Sequence, residues 1–538
     1  MSGAGGIWLI MSGAYVGGEL AAEFGKLPPA FLPVGMARLY EYHLARLGAR
    51  RPIYFTVPES YEITVEDRRR IEELGVTVLP LPEHLQLGEA VVYAVNTVGG
   101  PDQPLRILHG DTLINDLPLD ETDLIALADN VDGYSWAEAE VVGGNIRALE
   151  TLPAGSERAS GRLVAAGYFA FSSSVDLVRS ITRARGDFVG GINLYAGERP
   201  IQAHQAQNWF DFGHAQTYFR SRRAVTTARS FNTLRLDGRT ARKMSEDGAK
   251  MRAEAHWLRE VPPAVQLYGA RVLDSGESEG LPFYETEYQY IPTLSELFVF
   301  GSLNRPVWTR IMESCAEFLT VCARNGTDES SKPLLRKLAI DKTVSRLEDY
   351  ARLTQFDIDK PVSFAGRPFP SLLGIAQKLA ALLEGSTDRS LVVMHGDFCF
   401  SNILYDSRSR RIKVIDPRGY IETGTPSLLG DQRYDLAKLA HSIIGRYDHI
   451  IAGRYTTSAN DGYRLSINFE RTPQQAWLQS LFSEVVLTQT KASAQEVQAV
   501  MTGLFLSMLP LHADRPDRQR AFIANALRLY GMLEDSVG

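Results

Sequence analysis

The chain has 538 residues, a formal net charge of −7 and 44% hydrophobic residues. This composition is typical of a globular protein that is long enough to bury two hydrophobic cores. The net negative charge argues against nucleic acid as a partner, because nucleic-acid affinity depends on neutralising phosphates with basic side chains.

The cysteines and the apolar segments predict a cytoplasmic protein. Cys315, Cys322 and Cys399 have no metal-binding spacing and form no even disulfide framework. The apolar run at residues 6–14 is too short for a signal peptide and lacks a basic flank. No stretch approaches the roughly 20 apolar residues of a membrane-spanning helix, so we expect no membrane insertion.

The N-terminal residues alternate strand-like and helix-like patterns. Residues 6–14 are an apolar run that ends in small residues, including Gly13, which predicts a strand that enters a nucleotide-contacting loop. The proline-rich segment 28–34 follows, and residues 38–47 show the periodicity of a helix. Further strands are predicted at residues 105–111, which end in Asp111, and at residues 165–171.

This order resembles the sugar-nucleotide pyrophosphorylases and phosphocholine cytidylyltransferases, whose signature is a strand, a glycine-rich loop, P-K-x-L-L-P-V and a helix. The resemblance implies that Gly13, Lys26 and Gly88 contact the nucleotide. Pro29 stands where the signature has a lysine, and Lys26 is the nearest substitute. The glycine-rich loop also lacks its usual arginine.

The same resemblance implies a metal site at Asp111 and Asp211. Asp211 lies in W-F-D-F-G-H at residues 209–214, which is similar to the family's W-x-D-x-G-T. A phosphate monoester and a nucleoside triphosphate repel each other, and Mg²⁺ held between two carboxylates would screen and align them. The alternative is that each aspartate is an ordinary turn residue at the end of a strand.

Residues 230–245 predict a hairpin, because apolar residues alternate on both sides of an Asp-Gly turn. Lys243 lies on its second strand, and the helix expected at residues 250–260 carries Glu254. A lysine paired with a helical glutamate orients the phosphates of ATP in kinases. The alternative is a surface ion pair, and no G-x-G-x-x-G segment identifies the loop over the phosphates.

The stretch H-G-D-F-C-F-S-N at residues 395–402 predicts a phosphotransfer site. Asp416 follows a mostly β-branched run, residues 412–415, that is typical of a short buried strand. Phosphoryl transfer from ATP to a hydroxyl needs a carboxylate at the attacking oxygen, and oxygen ligands that hold Mg²⁺ on the phosphates. A polar turn between two strands is the alternative.

These residues resemble the aminoglycoside phosphotransferase and choline kinase group. The resemblance implies that Asp397 is the catalytic base, that Asn402 and Asp416 hold the metal, and that Lys243 and Glu254 orient the nucleotide. The run G-D-Q-R-Y-D-L-A at residues 430–437 is similar to the segment that follows the metal aspartate in this group. Asp435 is then expected to brace the catalytic loop.

The fold class predicted is α/β. Residues 1–225 are predicted to form a nucleotidyltransferase-like domain of GT-A or Rossmann-like type, and residues 226–538 a two-lobed protein-kinase-like α+β domain. A polar basic run at residues 220–228 is the candidate linker. Helical periodicity at residues 474–490 and 520–532 indicates the helical lobe of the kinase.

Together the two resemblances predict a multifunctional enzyme with Mg²⁺ as cofactor. A kinase would phosphorylate an alcohol, amino alcohol or sugar with ATP, and a nucleotidyltransferase would join the product to a nucleotide from a second NTP, with CTP favoured. The product would be a precursor for surface polysaccharide or lipid decoration. Two alternatives stay open, a retired N-terminal platform beside an active kinase and antibiotic inactivation by the phosphotransferase. The substrate is a small molecule, and the oligomeric state is left open.

Overall fold

The computed structural model describes residues 6–129, 134, 136–153, 163–227, 234–422, 424–459 and 462–537. The chain divides into two compact units, Met1–Val225 with Phe300–Ser302, and Thr226–Val299 with Leu303–Gly538. Both units combine helices and strands, so the predicted α/β class is confirmed. Within the described ranges, no helix has the length and apolar character needed to cross a membrane.

The first unit is built on a mixed nine-stranded sheet. In spatial order its strands are Val76–Leu81, Ile53–Pro58, Ile7–Met11, Leu105–His109, Leu163–Phe171, Leu124–Asp129, Gln202–Gln205, Asn145–Thr151 and Ala137–Val142. The first four run parallel, and Leu163–Phe171 is antiparallel to its neighbours. Parallel strands have to be joined by crossovers, which the intervening helices supply.

Helices cover both faces of this sheet. One core contains Val91, Leu177 and Ile192 from helices, and the other contains Leu44 and Ile71. Both faces of the strands are therefore buried, which is why Ile7–Met11 is apolar at every position. The helices of the unit are Gly18–Phe24, Leu39–Leu47, Val65–Glu73, Leu87–Val98, Ser174–Arg183, Phe188–Glu198 and Ala215–Thr227, with a 3₁₀ turn at Pro29–Phe31.

Two short antiparallel strand pairs complete the unit, the hairpin of Pro33–Val34 with Ala37–Arg38, and the long-range pair of Thr112–Ile114 with Trp209–Asp211. The long-range pair aligns Asp211 with Thr112. Asp111 precedes Thr112 in the chain, so this pairing brings two aspartates that are far apart in sequence to one end of the sheet.

Residues 220–227 of the predicted linker form the second half of the helix Ala215–Thr227, and the boundary between the two compact units, Val225/Thr226, lies within them. Tyr218, Phe219 and Val225 are buried, whereas Arg220 is exposed and Arg222 and Arg223 are half-buried. Arginine is a good helix former, so a basic run with spaced apolar residues is compatible with an amphipathic helix. Ala228 lies outside the described residues.

The second unit begins with an antiparallel four-stranded sheet. Its strands, in spatial order, are Leu234–Leu236, Thr240–Met244, Leu281–Glu287 and Val272–Ser278. The predicted hairpin is confirmed for residues 234–245, and residues 230–233 lie outside the described part. The helix Gly248–Glu260 follows, with the Asp247 side chain accepting a hydrogen bond from the Lys250 backbone N–H as its N-cap.

Helices dominate the remainder of the second unit. They are Pro263–Gln266, Leu294–Phe300, Arg305–Arg324, Lys332–Leu335, Lys342–Thr354, Leu372–Glu384, Gln432–Ile443, Tyr447–Ile451, Pro473–Leu481, Thr488–Thr490, Ala494–Ser507 and Pro516–Val537. Two π-helical segments, Arg336–Asp341 and Phe482–Leu487, and 3₁₀ turns at Phe400–Asn402 and Leu509–His512 connect some of them. Cys315 and Cys322 are buried on one of these helices, as expected.

Short strands flank the predicted catalytic loop of this unit, residues 395–402. The hairpin of Ile403–Asp406 and Arg411–Val414 directly follows the loop and ends two residues before Asp416. Two small sheets complete the unit, Thr327–Ser330 with Ser390–Val393 and Leu429–Gly430, and Arg367–Phe369 with Val362–Phe364, Arg464–Asn468 and Thr456–Ala459.

Candidate functional site

The predicted catalytic loop of the second unit lines a cavity of about 320 Å³. The loop follows the strand Ser390–Val393 and leads into the 3₁₀ turn Phe400–Asn402. Asp397, Asn402, Asp416, Lys243 and Glu254 all border this cavity, so the structure brings the five predicted kinase residues together.

Asp435 holds the start of the loop, as expected from its motif. The two oxygens of its buried carboxylate accept hydrogen bonds from the backbone N–H groups of His395, at 2.8 Å, and Gly396, at 2.7 Å. Gly396 has a φ of 77°, and a Cβ there would lie 2.6 Å from the Cβ of Arg418, so glycine is needed at this turn. Burial raises the pKa of Asp435 to about 7.

Asp397 is held at both carboxylate oxygens. Lys438 donates to Oδ1 at 2.8 Å, and the Asn402 amide donates to Oδ2 at 2.8 Å. Burial alone would raise the pKa of the Asp397 carboxyl, but the charge and hydrogen bond of Lys438 outweigh it and keep the pKa below its usual range. The carboxylate is therefore ionised and fixed in orientation, which are two requirements for a base that accepts a hydroxyl proton.

Asn402 and Asp416 offer oxygen ligands of the type that Mg²⁺ prefers. The Asn402 amide nitrogen donates to Asp397, and the carbonyl oxygen of the same amide accepts a 3.4 Å hydrogen bond from the Ser401 hydroxyl, which leaves that oxygen a second lone pair for a metal. Asp416 adopts a φ of 54° at the end of its strand, and 43% of its side chain is exposed at the cavity. In the described ranges no three His, Cys, Asp or Glu side chains form a metal cluster. Mg²⁺ characteristically combines one or two carboxylates with substrate phosphates, so the donor set fits this ion.

The predicted pair of Lys243 and Glu254 is in contact. The Lys243 ammonium lies 2.8 Å from Glu254 and 3.2 Å from Asp416, and the Tyr284 hydroxyl donates to both carboxylates. Burial lowers the pKa of Lys243, but the two carboxylates more than offset this and raise it. Lys243 is therefore a fixed cation beside the predicted metal ligand, where the phosphates of a nucleotide would carry negative charge.

Asp416→Ala is expected to raise the Mg²⁺ concentration for half-maximal phosphotransfer at least about tenfold and to weaken nucleotide binding, because it removes a metal ligand. Mg²⁺ titrations of the phosphotransfer rate at fixed ATP would measure the change. Asp349→Ala is the matched control, since Asp349 pairs with Arg352 on an exposed helix face. An unchanged Mg²⁺ titration for Asp416→Ala would contradict the metal role.

Five basic residues of the cavity are not predicted by the sequence, and one of them, Lys250, lies on the helix Gly248–Glu260. Lys342 and Arg346 come from the helix Lys342–Thr354, Arg418 follows the strand that leads to Asp416, and Lys438 lies on the helix Gln432–Ile443. Lys438 is three residues after Asp435 in a motif that was recognised, so its position was a usable signal. Arg418 is two residues after Asp416, so its position was also a usable signal, whereas Lys342 and Arg346 come from a helix that is distant in sequence.

In the first unit, Asp111 and Asp211 converge on Gly213. A Cβ on Gly213 would lie 2.8 Å from an Asp111 oxygen and 3.3 Å from an Asp211 oxygen. Burial and the nearby charge of Asp211 raise the pKa of Asp111 to about 7. Two carboxylates that repel each other at a buried site are a suitable donor set for a divalent cation, so Mg²⁺ also fits here.

His214 and Thr217 contact the same carboxylate. The Thr217 hydroxyl donates to Asp211, and the His214 ring lies 3.5 Å from an Asp211 oxygen, whose hydrogen bond raises the pKa of His214. Asp111, Asp211 and His214 border a cavity of about 310 Å³ whose other lining residues are largely apolar or aromatic. Such a pocket suits a ligand with both an apolar part and phosphates.

Gly13, Lys26 and Gly88 are the predicted nucleotide-binding residues of the first unit. None of them is among the described residues that line this cavity. Lys26 is exposed, lies 3.8 Å from Glu83 and covers the ring of Tyr15 at 3.9 Å. Gly13 packs against Leu81, to which a Cβ would approach within 2.6 Å. Gly88 begins a helix and packs against the Gly186 carbonyl, 2.3 Å from where its Cβ would be. The two glycines thus permit close packing.

Residues 216–465 match the model of the phosphotransferase enzyme family, APH. This part of the chain contains every predicted kinase residue. The C-terminal part is therefore a phosphotransferase-family domain with a kinase-like fold, and the chain is an enzyme. No curated protein matches the sequence significantly.

Solved structures resemble each part of the chain. The UTP-bound UGPase from Acinetobacter baumannii shares 14% identity, with 42% of this chain and 95% of that chain covered and a TM-score of 0.31. The aminoglycoside-3'-phosphotransferase of type VIII shares 16% identity over 56% of this chain and 90% of its own, with a TM-score of 0.30. A glucosamine kinase in complex with glucosamine, ADP and inorganic phosphate shares 12% identity, covering 59% and 83%, with a TM-score of 0.36.

Proposed function

We propose that the chain is a bifunctional enzyme that phosphorylates a small-molecule alcohol with ATP and then joins the product to a nucleotide. The observation that carries the proposal is the arrangement around Asp397. An ionised carboxylate, oriented by Lys438 and Asn402, shares one cavity with Asp416 and the Lys243–Glu254 pair.

In the first reaction, Asp397 accepts the proton of the acceptor hydroxyl. The hydroxyl oxygen forms a bond to the γ-phosphorus of ATP, and the bond between that phosphorus and the ADP oxygen breaks. Mg²⁺ held by Asn402 and Asp416 would offset the charge of the phosphates. Lys243, fixed by Glu254, supplies a second positive charge on the nucleotide side of the cavity.

In the second reaction, an oxygen of the new phosphate monoester attacks the α-phosphorus of a second NTP, and pyrophosphate leaves. Asp111 and Asp211 would hold Mg²⁺ between the two anions. CTP is the preferred donor by analogy with paired choline kinase and cytidylyltransferase activities. Residues 1–225 would carry this reaction and residues 226–538 the first.

The two reactions are proposed to run in series. The monoester that a kinase makes is the nucleophile that a nucleotidyltransferase needs, so one chain would convert an alcohol into an NDP-activated building block. Such a product would be made in the cytoplasm and would be a precursor for surface polysaccharide or lipid decoration. The proposed acceptor of the phosphoryl group is an alcohol, an amino alcohol or a sugar.

A second candidate is an active kinase with a retired N-terminal domain that serves as a platform. The observation that favours it concerns the positions at which the nucleotidyltransferase signature would place a lysine. Pro29 begins a 3₁₀ turn and replaces the signature lysine, while Lys26 is exposed and engaged with Glu83 and Tyr15. Under this candidate the Asp111 and Asp211 pair is a remnant.

Pyrophosphate release by the full-length chain separates the two candidates. A panel of phosphorylated alcohols and sugars is supplied with each of the four NTPs and Mg²⁺, so that the kinase reaction is not needed. The bifunctional proposal expects release with at least one pair of substrates. No release with any pair, from protein that phosphorylates an alcohol with ATP, supports the platform.

A further inference from the structure

The cavity around Asp397 has an excess of basic side chains. Its acidic lining residues are Glu254, Asp397 and Asp416, and its basic ones are Lys243, Lys250, Lys342, Arg346, Arg418 and Lys438. Lys243 and Lys250 contact Glu254, and Lys438 contacts Asp397. The other three basic residues, Lys342, Arg346 and Arg418, are called here the cationic wall.

The cationic wall has no acidic partner in the described part of the chain. Arg346 donates to the Ser507 carbonyl at 3.0 Å, and Arg418 donates to the Tyr420 carbonyl at 2.9 Å. These are bonds to neutral oxygens, and no carboxylate of the described residues lies within ion-pair distance of any member of the wall. Buried or half-buried cations gathered in this way are stabilised when an anion joins them.

The wall borders the same cavity as the predicted base, and the Arg418 backbone N–H donates to the carbonyl of His395, two residues before Asp397, at 2.7 Å. Burial, followed by the charges of Arg418, Arg346 and Lys438, lowers the pKa of Lys342 to about 6, so without an anion Lys342 is largely neutral near pH 7 and the permanent charge of the wall is that of Arg346 and Arg418. Lys342 and Arg346 belong to the helical part of the unit, whereas Lys243 lies on its sheet. The hydroxyl that gives its proton to Asp397 belongs to the acceptor, so the acceptor must lie beside the wall.

We propose that the acceptor is an alcohol that carries a carboxylate or phosphate group, which Lys342, Arg346 and Arg418 bind while the hydroxyl meets Asp397. This inference rests on the proposed kinase function. The planar guanidinium groups of two arginines match the paired oxygens of such anions. A cationic acceptor would instead be repelled by the wall, and the carboxylates among the described lining residues, Glu254, Asp397 and Asp416, already contact lysines.

Acceptors that share a carbon skeleton and differ in the charge of one substituent test this proposal. One set is glycerol, glycerate, glycerol 3-phosphate and serinol, and a second is glucose, glucuronate, glucose 6-phosphate and glucosamine. With ATP and Mg²⁺, the anionic member of any set that is phosphorylated should have a kcat/KM at least about tenfold above its neutral and cationic counterparts. The carboxylate and phosphate members show which anion is preferred. A neutral or cationic member with the highest kcat/KM overturns the proposal.

A binding measurement decides the question without a known acceptor. The full-length protein is saturated with Mg²⁺ and AMP-PNP, which fills the nucleotide site, and is then titrated with inorganic phosphate in a calorimeter. Phosphate should bind, and Arg346→Ala or Lys342→Met should weaken it at least about tenfold. Arg352→Ala is the matched control, because Arg352 lies on the same helix and pairs with Asp349. Thermal melting shows that each variant is folded.

The outcomes separate this proposal from the kinase function on which it rests. Absence of phosphate binding, or equal weakening by Arg352→Ala, overturns the anion site even if alcohols are phosphorylated. If no acceptor of either set is phosphorylated, the phosphate titration still decides whether the cationic wall binds an anion.

Discussion

Asp397→Asn is expected to reduce the kcat of phosphotransfer by about 10² to 10⁴ while ATP binding remains close to that of the unchanged protein. The substitution removes the group that accepts the hydroxyl proton, but it leaves Asn402, Asp416 and Lys243, which face the nucleotide and its metal. The amide has nearly the shape of the carboxylate, so the cavity keeps its form. Single-turnover assays and calorimetric ATP titrations would measure the two quantities.

Asp349→Asn is the control for this prediction, because it makes the same chemical change on an exposed helix. A large loss in Asp397→Asn with an unchanged control supports the base. The base assignment fails if Asp397→Asn keeps more than about a third of the kcat, since loss of a general base costs at least roughly a hundredfold.

Asp111→Asn and Asp211→Asn are expected to lower nucleotidyl transfer at least about 100-fold, which corresponds to roughly 3 kcal/mol of lost charge stabilisation. Each variant removes one of the two carboxylates that converge on Gly213. Phosphorylation of the alcohol should be unchanged, because that reaction uses the second unit. Pyrophosphate release and ADP formation, measured in the same samples, would report the two reactions separately.

Asp129→Asn is the control for the first unit. Asp129 is exposed at the end of the strand Leu124–Asp129, so it represents an ordinary strand-end aspartate. If Asp111→Asn and Asp211→Asn release pyrophosphate as fast as Asp129→Asn, the two aspartates are turn residues and the platform candidate takes the place of the transferase.

Much of the fold could be predicted because the relevant signals are local. The apolar run before Gly13 and the Asp-Gly turn before Lys243 specify a strand and a hairpin over short windows. Residues 220–227 show what local composition leaves out. Their polar, basic composition predicts a linker, and the boundary between the two units lies within them, but composition alone does not reveal that they continue the helix Ala215–Thr227, on which Tyr218 and Val225 are buried.

The candidate kinase site likewise has residues that the sequence predicts and residues that it does not. Asp397, Asn402 and Asp416 lie within twenty residues of one another, so their spacing in the sequence is enough to predict a phosphotransfer site. Lys342 and Arg346 are more than fifty residues before Asp397, and only the packed helices bring them to the same cavity. A single basic residue on a helix is usually a solvated surface group, so the sequence has no signal that identifies these two residues of the cationic wall.

The central claim, two consecutive reactions in one chain, is tested most directly by ³¹P NMR of the full-length protein with ATP, CTP, Mg²⁺ and an alcohol that it phosphorylates. We expect the unchanged protein to form a diphosphate ester, and Asp211→Asn to accumulate the phosphate monoester instead. Asp397→Asn should form neither product from the alcohol, yet form the diphosphate when the monoester is supplied. Diphosphate formation by Asp211→Asn at the rate of the unchanged protein would contradict the claim.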